Sequence, residues 1–423
     1  MKTKTTKTLL ILVSGIVFAS ALWSCTTPIN PVLPAQVRTL SSTEQKVASA
    51  NTNFALRFFQ ESSRIEGNKN LFISPLSYMQ ALTMTANGAA TATRDSMARA
   101  LHISGIPMQE VNDGSRTLSE YLLGLDPNVE MRIANGIWYN EQFTMEQPFA
   151  NTVKQAFGAE MRGMAFGSAD VKGDINRWVE QQTRNRIKDL IQENFTQNDL
   201  MCLVNAVYFN AMWKARFDPA NTKDESFKRE DGTTLTCKMM NLTKATDVRI
   251  STLGKARLVE MPYSNGQFTM TALLPNDGER LSNVIASLTP SAWNQAVQNL
   301  SSTATLIALP KFSLQTRYEE SFSDPRELHA LGMGLAFTRF ADFSAMYRPP
   351  VSAAISFVIH QTFLQVDERG TEAAAATAVG IVATSFDPSQ PGIIRFDRPF
   401  AFFIREKSTN MILFAGTMYE PKL

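Results

Sequence analysis

Three histidines, His102, His329 and His360, are the side chains that titrate near neutral pH and could serve as a general base or a metal ligand. No two stand four residues apart, the spacing that puts a pair of zinc ligands on one helix face. Gly332 and Gly334 lack the third glycine of a dinucleotide loop, because Phe337 stands in its place. No GxSxG nucleophile elbow and no phosphate loop occur. The histidines therefore read as structural. No catalytic residue, metal or cofactor is expected, and the chain is not expected to be an enzyme.

The chemistry that the sequence does support lies at its two ends. Near the start, Lys2, Lys4 and Lys7 precede the apolar run LLILVSGIVFASAL, and LWSC follows. The run is short for a membrane-spanning helix and has the layout of an export signal. LWSC resembles a bacterial lipobox, in which Cys25 becomes the lipidated first residue. Residues 1–24 are then the signal, and 25–45, with three prolines and many Ser and Thr, a flexible tether. An exported lipoprotein of a Gram-negative outer membrane or cell surface follows, with release also open. Whether it faces the periplasm or the outside is open too. Cys202 and Cys237 lie in apolar, strand-like stretches without a CxxC. Two buried thiols are the expectation, with their pairing left open.

Near the other end, residues 368–384 read ERGTEAAAATAVGIVAT. Four alanines behind a glutamate favour a helix. The flanks, ISFVIHQTFLQV and AVGIVATSF, favour strands. Small side chains suit a segment that must slip between packed neighbours. If Thr371 faces a core, alternation puts Ala373, Ala375 and Thr377 with it, while Ala374, Ala376 and Glu372 face the other way, where water can reach the glutamate. Gly370 supplies a pivot free of Cβ clashes.

The rest of the chain must position that segment. With 41 basic and 39 acidic residues, a net charge of +2 and no run of like charge, it carries no nucleic-acid footprint. Its 44% apolar and 19% charged residues are those of an ordinary globular protein. Apolar periodicity predicts helices over 47–64, 75–100, 147–158 and 175–192. Strands are predicted over 203–213, 267–275 and 304–314 and in the closing FAFFIREKSTNMILFAGTMY. Helices dominate the first half and strands the second, which implies an α+β fold with large, mostly antiparallel sheets. Residues 46–423 read as one domain.

In order, these segments resemble the serpins from about Lys46 to Leu423. NLFISPLSYMQALTMTANGA resembles the family's opening signature. INRWVEQQTRNRIKDLI resembles the helix crossing the front of the main sheet, with Asn185 where the family usually has glycine. LVNAVYFNAMWKARF resembles the central strand, with Asn205 and Trp213 at the positions that mark where the sheet opens. LPKF, LGMGLAF, ADFSAM and FDRPFAFFIREKSTNMILFAGTMYEP follow in family order.

The resemblance implies a protease inhibitor with an exposed reactive loop, here about 368–392. Its hinge comprises Glu368, Gly370, Thr371, Glu372, Ala373, Ala374, Ala375, Ala376 and Thr377. A target protease would cut the loop and become trapped as an acyl-enzyme when the freed end inserts into the main sheet. The family's spacing from Glu368 makes Thr384–Ser385 the reactive bond, open by one or two residues, with Val382 and Ala383 beside it. No Lys or Arg occurs between Thr371 and Arg395. This bait suits elastase-like or subtilisin-like serine proteases, or papain-like cysteine proteases, rather than trypsin-like ones. The partners implied are these proteases and a membrane reached through Cys25, with a monomer and no nucleic acid. The physiological target is open. The alternative is a serpin-fold surface lipoprotein that binds a ligand or host protein without inhibiting.

Overall fold

Ser41 and Glu44 begin the folded body with a reciprocal cap. The Glu44 N–H donates to Ser41 Oγ at 3.2 Å, and the Ser41 N–H donates to Glu44 Oε2 at 2.8 Å. The helix Ser42–Glu66 follows, burying Phe54, Phe58 and Phe59. The structure, a computed structural model, describes residues 36–168, 170–321, 323–350, 352–371 and 392–423. Among them no helix is long and apolar enough to cross a membrane.

The predicted helix over 75–100 is two, Pro75–Gly88 and Thr91–Ala100. Ser74 caps the first by accepting from the Ser77 N–H at 3.2 Å. The helix predicted over 147–158 spans Gln147–Phe157. The one predicted over 175–192 spans Asp170–Gln182 and stops well short. Arg184 and Asn185 have φ of 53° and 61°, a left-handed conformation that ends the helix and that asparagine tolerates better than most side chains. The stripe continues without it. Ile187 and Ile191 are buried from irregular chain, pinned where Asn176 Nδ2 donates to Ile191 O and Ile191 N–H returns to Asn176 Oδ1, each at 2.9 Å.

Among the described residues, two sheets carry the strands. The larger, of ten strands, contains the closing hairpin Phe400–Glu406 and Ile412–Met418, and its Phe403 packs edge-on against Phe59 at 5.0 Å and Trp293 at 4.7 Å. The smaller runs in the order Phe312–Ser321, Phe357–Val366, Gly370–Thr371, Met201–Met212, Glu130–Asn140, Glu160–Met164. All its pairs are antiparallel except the last. Glu130–Asn140 and Glu160–Met164 are strands within the helix-dominated first half. EMRIANGIWYN is buried irregularly on both faces, so it lacks the alternation that betrays a strand.

Candidate functional site

Gly370 and Thr371 form a strand of two residues wedged at one end of the smaller sheet. Gly370 pairs with Met212, and Thr371 pairs with Ala211 on one side and Val366 on the other. A Cβ on Gly370 would stand 2.0 Å from Ala211 O. The glycine is thus needed for close backbone approach, beyond any pivoting. Thr371 is 1% exposed, and its hydroxyl shares a 2.6 Å hydrogen bond with the Tyr263 phenol. Thr371, a residue of the expected hinge, therefore already lies inside the sheet.

Trp213 and Glu368 anchor this wedge. Trp213 stacks on Tyr263 with ring centroids 4.5 Å apart. Its Nε1 donates to Asp367 O at 3.0 Å, and its backbone N–H donates to Arg369 O at 2.7 Å. The Phe217 N–H donates to Glu368 O at 2.9 Å. Burial opposes ionisation of Glu368, but hydrogen bonds from Lys311 Nζ (2.9 Å), its own backbone and Thr222 Oγ1 (2.8 Å) hold its carboxyl below the usual range. Sequence reasoning missed Tyr263, Lys311 and Thr222 as hinge partners. Lys311 lies inside LPKF and was open to notice, whereas nothing near Tyr263 in the sequence points to Thr371.

Below Thr371 the flanking strands part. Among the described residues, no backbone pairing joins Met201–Met212 to Phe357–Val366. A narrow cleft directly beneath Thr371 is walled by Val207 and Phe363, roofed by Ile187 and floored by Phe72 and Phe414. Farther down, a cavity of about 280 Å³ opens between Met201–Asn205 and Phe357–His360, with Tyr78 on one face and Ile191 and Phe195 on the other. Facing strand edges without partners invite a strand.

Asn205 and His360 stand on opposite edges of that cavity. Asn205 Nδ2 donates to Asn135 Oδ1 at 2.6 Å, while Asn205 Oδ1 is buried without a partner. His360 Nε2 accepts from the Ser74 N–H at 2.9 Å, and its ring packs 4.5 Å from Tyr78. Burial depresses its pKa to about 3, so the ring is neutral. Elsewhere His329 Nδ1 lies 2.7 Å from Glu320 Oε1, and His102 is partly buried, which with the charge of Arg57 lowers its pKa. No His, Cys, Asp or Glu cluster among the described residues could hold a metal. Cys202 and Cys237 are free and buried, and burial pushes their thiols up to about 12 and about 11. Neither is a nucleophile at neutral pH.

The structure thus brings together Glu368, Gly370, Thr371 and Trp213 at the mouth of the gap, with Asn205 lower on its edge. Glu372, Ala373, Ala374, Ala375, Ala376, Thr377, Val382, Ala383, Thr384 and Ser385 lie outside the described residues, as does Cys25.

The family model described as Serpin (serine protease inhibitor) matches residues 49–421. An uncharacterized serpin-like protein of Thermococcus kodakarensis is 32% identical over 387 residues, covering 90% of this chain and 87% of its own. Human Serpin B4 is 31% identical over 396 residues, with 89% and 99% covered. Among solved structures, human thyroxine-binding globulin complexed with thyroxine superposes with a TM-score of 0.78 at 28% identity, covering 90% of this chain and 100% of that one.

Proposed function

The chain belongs to the serpin family, and from that premise we propose that it is a suicide-substrate inhibitor of proteases. One observation carries the reading: a hinge already paired at Gly370 and Thr371 sits directly above a gap between two unpaired strand edges. Continuing that register, each residue after Thr371 steps one pair down both edges. Ala373 then meets Phe209 and Leu364, Ala375 meets Val207 and Thr362, and Thr377 meets Asn205 and His360. A threonine hydroxyl at that level would give the unpartnered Asn205 Oδ1 a donor.

The gap also accounts for an unbroken alanine run. Alternation alone would ask for small side chains at every second position. Here Phe72, Phe414 and Tyr78 close one face while Ile187, Ile191 and Phe195 close the other. Residues of both parities must therefore be small. Glu372, next to Thr371, would meet the half-buried Asn210 and Gln365, where a polar group is tolerated.

In the proposed cycle the protease's serine or cysteine attacks the Thr384 carbonyl. The bond to Ser385 breaks, its nitrogen leaves as an amine, and Thr384 remains esterified to the enzyme. About 15 inserted residues at roughly 3.3 Å each then carry the bound protease about 50 Å. Paired strands replace unpaired edges, so insertion runs downhill and the intact protein is a kinetic trap. The uncharged bait Val382–Ala383–Thr384 supports elastase-like, subtilisin-like or papain-like targets. The N-terminal LWSC supports export and lipid attachment at Cys25.

Mixing the protein with one protease of each class and running denaturing gels tests this. A gel-stable complex, with the C-terminal peptide starting at or within two residues of Ser385, is expected from at least one class. Cleavage by all of them without a complex would favour the alternative, a scaffold that binds a ligand, for which the thyroxine-bound relative is a precedent.

A further inference from the structure

The cavity between Met201–Asn205 and Phe357–His360 lies at the level where the alanine run ends. In the register proposed above, Thr377 reaches Asn205 and His360, Val379 meets Leu203 and Val358, and Ile381 meets Met201 and Ser356. Bulk returns to the loop sequence where the body makes room for it. The cavity measures about 280 Å³, close to twice the roughly 150 Å³ that admits one benzene ring. Its rim includes the exposed Asn198, Ser352 and Ala354, so it is reached from solvent.

The walls select for low polarity. Tyr78, Phe195, Phe343, Tyr347 and Phe357 bring aromatic rings to the cavity. Hydroxyls on its walls are engaged within the protein, as Tyr347 OH donates to Leu200 O and Thr85 Oγ1 to Ala81 O, each at 2.9 Å. The His360 ring is neutral, with the Ser74 N–H on its Nε2. Among the described residues the remaining titratable carboxylate on the walls is Asp199, which accepts from the Thr196 N–H at 2.6 Å and from Thr196 Oγ1 at 2.9 Å. No lysine or arginine lines the cavity, so an anion finds repulsion and no partner there. Asn205 Oδ1 is buried without a partner and is matched by an N–H donor.

We propose that this cavity binds a small, uncharged two-ring aromatic carrying one N–H, of the indole class, and that the bound molecule holds the reactive loop out of the sheet. The rings pack among the aromatic walls, and the N–H serves Asn205. The occupant takes the space that Val379 and Ile381 would fill, so binding and complete insertion exclude each other. At ten times its dissociation constant such a ligand leaves about one protein molecule in eleven free, which slows insertion roughly tenfold. Binding stands on the cavity alone, whereas its effect on inhibition rests on the loop-insertion reading.

The test titrates indole into the intact full chain, read by ligand-detected NMR and by the thermal midpoint. Saturable one-to-one binding and a rising midpoint are expected. N-methylindole should bind more weakly, and an indole carboxylate should not bind. Ala81→Phe, which adds a ring to the cavity wall from helix Pro75–Gly88, should abolish indole binding. Because that variant could disturb packing, the two analogues on the unsubstituted chain form an independent arm. No saturable indole binding, or equal binding of the carboxylate, would overturn the site. With a protease that the chain inhibits, saturating indole should raise the moles of inhibitor consumed per mole of protease, and an unchanged ratio would overturn the competition. Should no protease be inhibited, the titration still decides the site, so the two failures stay distinct.

Discussion

A side-chain carbon on Gly370 would stand 2.0 Å from Ala211 O and 2.6 Å from Met212 Cα. Both atoms are backbone of the strand that also pairs with Glu130–Asn140, so neither can step aside. Gly370→Ala should therefore expel the two-residue strand and cost about 1–3 kcal/mol of stability. Hydrogen exchange reads it directly, because the Trp213 N–H donates to Arg369 O and should lose protection. Unchanged exchange at Trp213 would mean that the wedge does not depend on this contact.

The two closed faces of the gap predict how the alanine run responds to bulk. Ala374→Leu and Ala376→Leu should impair inhibition as strongly as Ala375→Leu, turning inhibitor into substrate. In the proposed cycle insertion competes with deacylation, and a barrier raised by about 3 kcal/mol slows it roughly a hundredfold. Glu372→Gln should leave stoichiometry unchanged. The readout is moles of inhibitor consumed per mole of protease. If only the odd-numbered position suffers, the face closed by Ile187, Ile191 and Phe195 does not constrain the strand.

Much of this site was legible in the residues. Gly370 announced a close backbone approach, and the strand-like LVNAVYFNAMW and ISFVIHQTFLQV became the two edges of the gap. Partnership was not legible. Tyr263 lies 108 positions from Thr371, and Glu368 is 57 from Lys311, separations that no local pattern encodes. The roof was misread for a related reason. Trp178, Thr183, Ile187 and Ile191 keep a helical stripe, yet Thr183 Oγ1 takes the Ile187 N–H at 3.1 Å and the chain leaves the helix while its apolar side chains stay buried. Periodicity reports which side chains are inside, and here it outlasts the helix.

Acid should weaken the fold through His360. Its folded pKa of about 3 lies below the unfolded value of about 6.5, so the unfolded chain binds the extra proton between them. Its contribution is complete above about pH 6.5 and falls by about 1.4 kcal/mol per pH unit as pH drops toward 3. Protonating Nε2 would also remove the acceptor of the Ser74 N–H. Denaturant midpoints measured between about pH 6 and pH 4 should fall more steeply for the native chain than for His360→Gln. Parallel curves would contradict a buried neutral ring.

The proposed export and anchoring rest on the first residues of the chain. Cys25→Ala should shift the protein from the detergent phase to the aqueous phase on partitioning of expressing cells. Continued detergent-phase partitioning of Cys25→Ala would count against a lipid at that residue.

In the proposed cycle the gap between Met201–Met212 and Phe357–Val366 receives the cut loop as a full strand. Thermal midpoints of intact protein and of protein nicked between Ala373 and Ser385 test it in a single comparison. Nicking should raise the midpoint well above that of the intact chain, because insertion pairs both idle edges and fills the 280 Å³ cavity beside Asn205 and His360. Equal midpoints would mean that the cut loop stays out and that the gap is not its destination.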